Sequence, residues 1–379
     1  MESQELGVKC TRSRLVLDLS VVRHQYARLT QSLRDAEIHF AVKCLPEARV
    51  LAALAEMGCD FEVASAGEIQ LLLDADLLRD SVIFSAPIKP SSEIAFARDS
   101  GIRRFVADSS EEIEKIATTA PNSEILLRLG VDASGSLMPL SEKFGLEADA
   151  AVTLGARAVE LGLTLAGMSF HVGSQAEDVA VWAKAFDVVG FTMERLAERG
   201  RFIEQVDIGG GMPAPYHPGV PSLEEVGAVI EEARRCLPYP IRLLAEPGRC
   251  LVATAGKLYA NVVGTAMRRG VRWIYVNTGV YHGLAESNPG IGGLSFPVTA
   301  ITSDRAARDS VQSTIAGYSC DGTDVIARDV ALPSCLRSGD TLVFEDAGAY
   351  SLSYVTNFCG ISGPKVEIVD GGSALPSNL

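Results

Sequence analysis

The strongest constraint on the fold is an alternation that runs from residue 24 to about residue 250. Short apolar, β-rich runs alternate there with longer stretches of Ala, Leu, Glu and Arg at helical spacing, the pattern of repeated βα units. Eight candidate strands follow in order: Ile38–Lys43, Asp60–Ala64, Val82–Ser85, Arg104–Ala107, Ile125–Leu129, Leu165–His171, Gln205–Ile208 and Arg242–Ala245. Eight such units in about 220 residues suit a closed (β/α)8 TIM barrel better than an open sheet, which needs fewer strands and a dinucleotide fingerprint. The chain has 379 residues and is 47% hydrophobic, so it can bury a barrel core and a second, smaller one.

Beyond residue 252 the texture changes to strands and turns without regular helices, as in Lys257–Val263, Trp273–Asn277, Asp324–Val330 and Asp340–Asp346. The α/β class is therefore expected, with a barrel over residues 24–252. A second, mostly β domain is expected from residues 253–379, with a strand contribution from 1–23. The stretch Gly371–Leu379 reads as a frayed tail.

Acidic residues outnumber basic ones, 48 to 34, and the net charge of −14 argues against nucleic acid and for a small-molecule substrate. Eight scattered cysteines, with no Cys-x-x-Cys pair and no histidines at zinc spacing, read as reduced thiols and predict no metal site. With neither a leader-like start nor an apolar run of about 18 residues, a cytoplasmic protein that does not span a membrane is expected.

Most candidate strands end in a polar residue or in glycine: Lys43, Ser65, Arg128, His171, Gly209–Gly211 and Glu246. In a barrel these ends open onto one mouth. A lysine at the end of an apolar strand must reach water, a phosphate, or a carbonyl with which it can condense. Gly209, Gly210 and Gly211 let backbone N–H groups approach an anion closely, and Gly248 and Arg249 offer a second clamp. A lysine and a phosphate cradle at one mouth point to a phosphorylated aldehyde held as a Schiff base, namely pyridoxal 5'-phosphate. Glu246 would then face the pyridine nitrogen and keep it protonated.

Six motifs carry a resemblance: Ala41–Pro46, Phe170–Gln175, the triglycine, Glu246–Arg249, Cys320–Asp324 and Glu345–Tyr350. In this order they resemble the fold-type III pyridoxal-phosphate decarboxylases, whose barrel is of the alanine-racemase-like type. Ornithine and lysine decarboxylases are the nearest kin, and diaminopimelate decarboxylase is more distant. The resemblance implies that Lys43 carries the cofactor, that His171 lies on the ring face, and that Arg128, Glu62 and Glu68 lie near the cofactor. Ser174, the triglycine, Arg249 and Tyr350 would share the phosphate. Cys320 would be the acid that returns a proton after carbon dioxide leaves. Cys320 and Asp321 would reach the partner's site in a homodimer with shared active sites.

Asp321, Thr278, Tyr281 and Phe358 are the candidate substrate residues. Thr278 stands where the family usually has an aspartate, which predicts weak binding of a distal ammonium. His282–Glu286 also departs from the pattern, and Glu286 either restores a negative charge from a different direction or, the reading slightly favoured, is a solvated surface residue. The expected activity is decarboxylation of a diamino acid, or of a modified amino acid in a biosynthetic pathway, to its amine. An amino-acid racemase of the same fold, or a non-catalytic regulatory homologue, are the alternatives.

Overall fold

The structure, a computed structural model, describes residues 12–140, 142–302 and 309–371. Residues 1–11 of the segment ahead of the barrel, with Cys10, and nearly all of the expected tail lie outside the described residues. The chain divides into two compact units, one spanning Leu19–Ala253 and one joining the segment up to Asp18 to the residues from Thr254 onward.

The elements run in chain order β1 (Arg14–Asp18), α1 (Leu19–Ser32), β2 (Ala36–Ala41), α2 (Ala48–Glu56), β3 (Asp60–Val63), α3 (Ala66–Asp74), β4 (Ile83–Phe84), α4 (Ser91–Asp99), β5 (Arg104–Ala107), α5 (Ser110–Thr119) and β6 (Glu124–Arg128). They continue with β7 (Ser136–Met138), α6 (Ala148–Glu160), β8 (Thr164–Ser169), β9 (Ser174–Ala176), α7 (Ala180–Ala197), β10 (Gln205–Asp207), α8 (Leu223–Arg235), β11 (Arg242–Ala245) and the single turn α9 (Arg249–Val252).

In the first unit eight parallel strands close in the order β10-β11-β2-β3-β4-β5-β6-β8. Closure is made where β11 pairs with β2, with Leu243 opposite Ala36 and Ala245 opposite Ile38. Each of the eight expected strands overlaps one barrel strand. The strands are apolar almost throughout because a parallel barrel is covered on both faces. Ile83, Val106, Leu126, Ala166 and Leu244 meet in its interior, so it is a filled core and not a pore. Serines start the helices that follow several strands: Ser65, Ser109 and Ser222 accept from the backbone N–H three residues on, and Ser222 with Glu225 forms a full capping box. The cap at Ser65 fixes where Glu68 stands in the first turn of α3.

The second unit is an eight-stranded sheet. Its further strands are β12 (Gly256–Arg268), β13 (Val271–Val276), β14 (Val298–Ile301), β15 (Ser310–Gly317), β16 (Val325–Pro333), β17 (Thr341–Phe344) and β18 (Lys365–Val369). The path is β14-β17-β12-β13-β15-β16, and β1 joins antiparallel to β12 and parallel to β18. A register break between Val262 and Gly264 lets the long strand β12 pair with β17 and β1 near one end and with β13 near the other. No helix among the described residues is long and apolar enough to cross a membrane.

Candidate active site

Lys43 lies two residues past the end of β2, on the one-turn 3-10 helix Val42–Cys44, and not within the strand as expected from sequence. That turn is held by the segment after β11. The Ala41 N–H donates to the Pro247 carbonyl at 3.0 Å, and a Cβ built on Gly248 would stand 2.8 Å from Cys44 Cβ. Only glycine lets these two strand ends meet so closely.

The Lys43 ammonium donates to Glu62 Oε2 of β3. Its side chain is 42% exposed, whereas that of Glu62 is buried. Burial works against the Lys43 charge, but Glu62, Glu246 and Glu68 outweigh it and hold the ammonium above the ordinary lysine value. Burial in turn raises Glu62 above the usual carboxylate range, against the pull of Lys43. Glu68 accepts from the Ala64 N–H at 2.7 Å, and burial followed by the charge of Glu62 pushes it up to about 7.

Glu246, directly after β11, is 8% exposed and accepts a hydrogen bond from the Ser85 hydroxyl. Burial first, and then the neighbouring Asp207 charge, push it up to about 8. Asp207 is fully buried and raised by the same burial; its Oδ1 accepts from the Gly209 N–H at 2.9 Å, and its side chain also pairs with the Glu246 carboxyl. Arg128, at the end of β6, is lowered by burial, against the pull of Glu246, Asp207, Asp108 and Glu62. The mouth thus gathers four carboxyls, Glu62, Glu68, Asp207 and Glu246, around two cations, Lys43 and Arg128. A cation or a proton is what such a group binds.

A second cluster has the opposite preference. Arg249 donates through Nε and Nη2 to Ser174 Oγ, at 3.3 and 3.0 Å, and through Nη1 to the Tyr216 hydroxyl at 3.1 Å. The triglycine follows β10, and Gly209 and Gly211 have φ of 62° and 98°. A Cβ at Gly209, Gly210 or Gly211 would lie 2.5, 2.7 or 2.4 Å from a backbone carbonyl oxygen, so no side chain fits. His171 Nδ1 accepts from the Gly173 N–H at 3.0 Å. Burial, then the charges of Arg128 and Lys43, lower His171 to about 3, so its ring is neutral and offers a flat face.

These residues fit pyridoxal phosphate on the structure's own terms. A primary amine stands at the mouth, a glycine cradle with a buried arginine suits a phosphate, and a buried pair of carboxyls, Asp207 and Glu246, suits a protonated ring nitrogen. The barrel therefore brings together Lys43, Glu62, Glu68, Arg128, His171, Ser174, the triglycine, Glu246, Gly248 and Arg249. Ser85, Asp207 and Tyr216 were not anticipated. The first two carried a usable signal, because Ser85 ends a candidate strand and Asp207 precedes the triglycine.

The remaining candidates belong to the β unit. Asp321 Oδ2 accepts from the Tyr281 hydroxyl at 3.0 Å, and Oδ1 accepts from the Thr323 N–H and hydroxyl at 2.7 and 2.8 Å. These hydrogen bonds hold Asp321 below the usual carboxylate range. The Tyr281 and Phe358 rings are 4.6 Å apart between centroids. Cys320 is exposed, and Tyr350 has a φ of 59° with its ring beside that of Tyr354.

Thr278 is 1% exposed and its hydroxyl donates to the His282 carbonyl at 2.9 Å. One expectation is corrected here: Glu286 is 4% exposed and not a solvated surface residue.

Residues 19–253 match the family model of the pyridoxal-dependent decarboxylases, pyridoxal binding domain. The lysine/ornithine decarboxylase of Selenomonas ruminantium is 31% identical over 351 residues, which cover 91% of this chain and 86% of that protein. The ornithine decarboxylase of Schizosaccharomyces pombe is 33% identical over 363 residues, covering 94% and 83%. The crystal structure of lysine/ornithine decarboxylase from Vibrio vulnificus, complexed with cadaverine, aligns over 95% of both chains with a TM-score of 0.87 and 32% identity. The chain therefore belongs to the pyridoxal-dependent decarboxylases, which take pyridoxal phosphate as cofactor and convert an amino acid to its amine.

Proposed function

We propose that the substrate is an amino acid with a second, distal cationic group, a diamino acid of the ornithine or lysine kind, and that the working enzyme is a cytoplasmic homodimer with shared sites. The observation that carries the chemistry is the amine of Lys43 held by Glu62 at a mouth that also contains an anion cradle and a proton-holding carboxyl group. The half-buried carboxylate of Asp321, held below the usual carboxylate range by three hydrogen bonds, supports a cationic substrate side chain. None of the seven described cysteines is disulfide-bonded, which supports a reducing compartment. The relatives' names, lysine/ornithine and ornithine decarboxylase, favour the same substrates.

Lys43 would hold the cofactor covalently, with Glu246 at its ring nitrogen, His171 on its ring face and Ser174, Gly209–Gly211 and Arg249 around its phosphate. Bound pyridoxal phosphate supplies the sink for the electron pair released when the α-carboxylate leaves as carbon dioxide. The chain's own residues do the rest. Glu62 holds the Lys43 proton, Asp207 and Ser85 fix the Glu246 carboxyl, and neutral His171 stacks without adding a second charge. Cys320 returns a proton to the substrate carbon from its thiol, in the site of the partner copy.

Purified protein should show an absorbance band of bound cofactor that Lys43→Ala abolishes; a band unchanged by that substitution sinks the assignment of Lys43. A panel of ornithine, lysine, diaminopimelate, 2,4-diaminobutyrate and acylated variants, scored by carbon dioxide release, tests the substrate class. Turnover confined to the acylated forms would overturn the distal-cation reading. Mixing Lys43→Ala with Cys320→Ala protein tests the shared sites, since partial recovery of activity is expected. No recovery despite proven subunit exchange refutes them.

A further inference from the structure

We infer that Cys320 and Cys359 form a reversible disulfide, a modification site that withdraws the Cys320 thiol from the reaction. The two sulfurs lie 3.7 Å apart, although the residues are 39 positions apart in sequence. Both residues are exposed. A disulfide bond is about 2.05 Å long, so the sulfurs need to close by only about 1.6 Å, a movement within reach of side-chain rotation.

The approach is built by the surrounding structure and is not a chance meeting of two loops. Tyr281 organises both sides. Its hydroxyl donates to Asp321, the neighbour of Cys320, and its ring lies 4.6 Å from that of Phe358, the neighbour of Cys359. The Phe358 side is fixed further: its carbonyl hydrogen-bonds His282 Nε2 at 3.0 Å, and the Thr356 N–H donates to the Tyr281 carbonyl at 2.9 Å. Cys359 itself has a φ of 56°, in the left-handed region that a residue with a Cβ rarely adopts. The following Gly360, with a φ of 69°, continues the same turn. A backbone shape that disfavours cysteine therefore presents its thiol towards Cys320. Of the other five described cysteines, Cys44, Cys59 and Cys250 are buried, Cys335 is half-buried, and Cys236 lies on the barrel unit.

The oxidant class is a peroxide. Peroxide oxygen is transferred to one thiol to give a sulfenic acid and water. The second thiol then attacks that sulfur, forming the S–S bond and releasing a second water. Two S–H bonds and one O–O bond break, the two sulfurs are oxidised, and the two peroxide oxygens are reduced. A dithiol reductant reverses the change by exchange. The consequence for catalysis rests on the proposed role of Cys320 as proton donor, whereas the bond itself does not.

The test uses the full chain loaded with pyridoxal phosphate and exposed to graded hydrogen peroxide, then blocked with an alkylating agent and digested. A peptide pair joined through Cys320 and Cys359 is expected, absent after dithiothreitol. Activity is expected to fall by about 10²-fold or more, the range a positioned proton donor contributes, and to return on reduction. Cys359→Ser should keep its activity without peroxide and give no joined peptide; its Cys320, lacking a resolving thiol, should pass beyond the sulfenic acid, so the activity it loses to peroxide should return on reduction to a smaller extent than that of the unsubstituted protein. Absence of the joined peptide at doses that inactivate the enzyme overturns the inference, as does equal recovery of the two proteins on reduction. If the joined peptide forms while activity is untouched, the disulfide stands and the assignment of Cys320 as proton donor fails.

Discussion

The buried carboxyl group of Glu246 makes a prediction opposite in sign to that of an ordinary salt-bridged acid. Its pKa rises from 4.5 to about 8 on folding. Between those values the folded protein holds a proton that the unfolded chain has released, so stability falls as pH rises through that window. At 1.36 kcal/mol per unit the full window is worth at most about 5 kcal/mol. His171 and His39 act in the opposite direction. Their pKa values fall to about 3 and about 4, so they add stability as pH rises towards the ordinary histidine value of 6.5. Between pH 4.5 and 6.5 the two histidines outweigh the single Glu246 loss. Above that window the Glu246 loss stands uncovered over about 1.5 units, or about 2 kcal/mol.

The assay is urea unfolding of cofactor-free protein, read by the barrel alone. The chain has two tryptophans, Trp182 buried in the barrel unit and Trp273 in the β unit, so Trp273→Phe leaves a single barrel reporter. In that background the protein should lose about 2 kcal/mol between pH 6.5 and 8 that Glu246→Gln does not lose. Glutamine keeps the shape and can still accept from Ser85, but has no proton to lose. Loading with pyridoxal phosphate should remove the difference, because a cation beside the carboxylate restores a low pKa. Parallel pH profiles for the two cofactor-free proteins would refute the argument.

Three further outcomes follow from the same geometry. Ser85→Ala removes the donor that stabilises the Glu246 carboxylate, so the Glu246-dependent loss of stability should move upward by about one pH unit in the same assay, a hydrogen bond to a charged group being worth about 1.5–3 kcal/mol. An unmoved profile would show that the hydroxyl does not act on the proton. Gly210→Ala places a Cβ 2.7 Å from the Glu246 carbonyl oxygen and 3.4 Å from His171 Nε2; it should destabilise the barrel by about 1–3 kcal/mol, measured as a shift of the urea midpoint. Arg249→Lys cannot reproduce the fork to Ser174 and Tyr216, and equilibrium dialysis should show pyridoxal phosphate binding weakened about 10- to 10²-fold. Unchanged affinity would remove Arg249 from the phosphate site.

Periodicity made the barrel legible because each strand is covered on both faces and so reads as an uninterrupted apolar run, and each run ends where polar residues begin. Strand ends were less sharp: the polar and glycine residues assigned to them extend one or two positions past the hydrogen-bonded ladder, as at Lys43 and His171. Burial of single polar residues was not legible. Glu286 carries the same letter whether solvated or enclosed, and Thr278 gives no sign that its hydroxyl is engaged by a carbonyl four residues on. Ser85 and Asp207 stood at legible strand ends, but their role did not show there, since it comes from Glu246, which is distant in sequence. Cys359 was invisible altogether, because its meaning lies in a sulfur 39 residues away.

The charge balance of the mouth bears on which chemistry the barrel favours. Four carboxyls face two cations, and the two carboxyls nearest each other, Asp207 and Glu246, are both raised by burial. A ring nitrogen that arrives unprotonated leaves this group in its strained state, with a buried proton held only by carboxyls. With Glu246 at the ring nitrogen, as proposed, a protonated nitrogen would supply the missing positive charge and let Glu246 ionise, so the site would bind that form more tightly by whatever the carboxyl pair gains. That form is the stronger electron sink and stabilises a full carbanion, which loss of a carboxylate requires. An arginine in place of Glu246 would put a third cation among these acids and leave the ring nitrogen neutral. The excess of buried acid around Glu246 thus favours decarboxylation over racemisation independently of Lys43, which both reactions need.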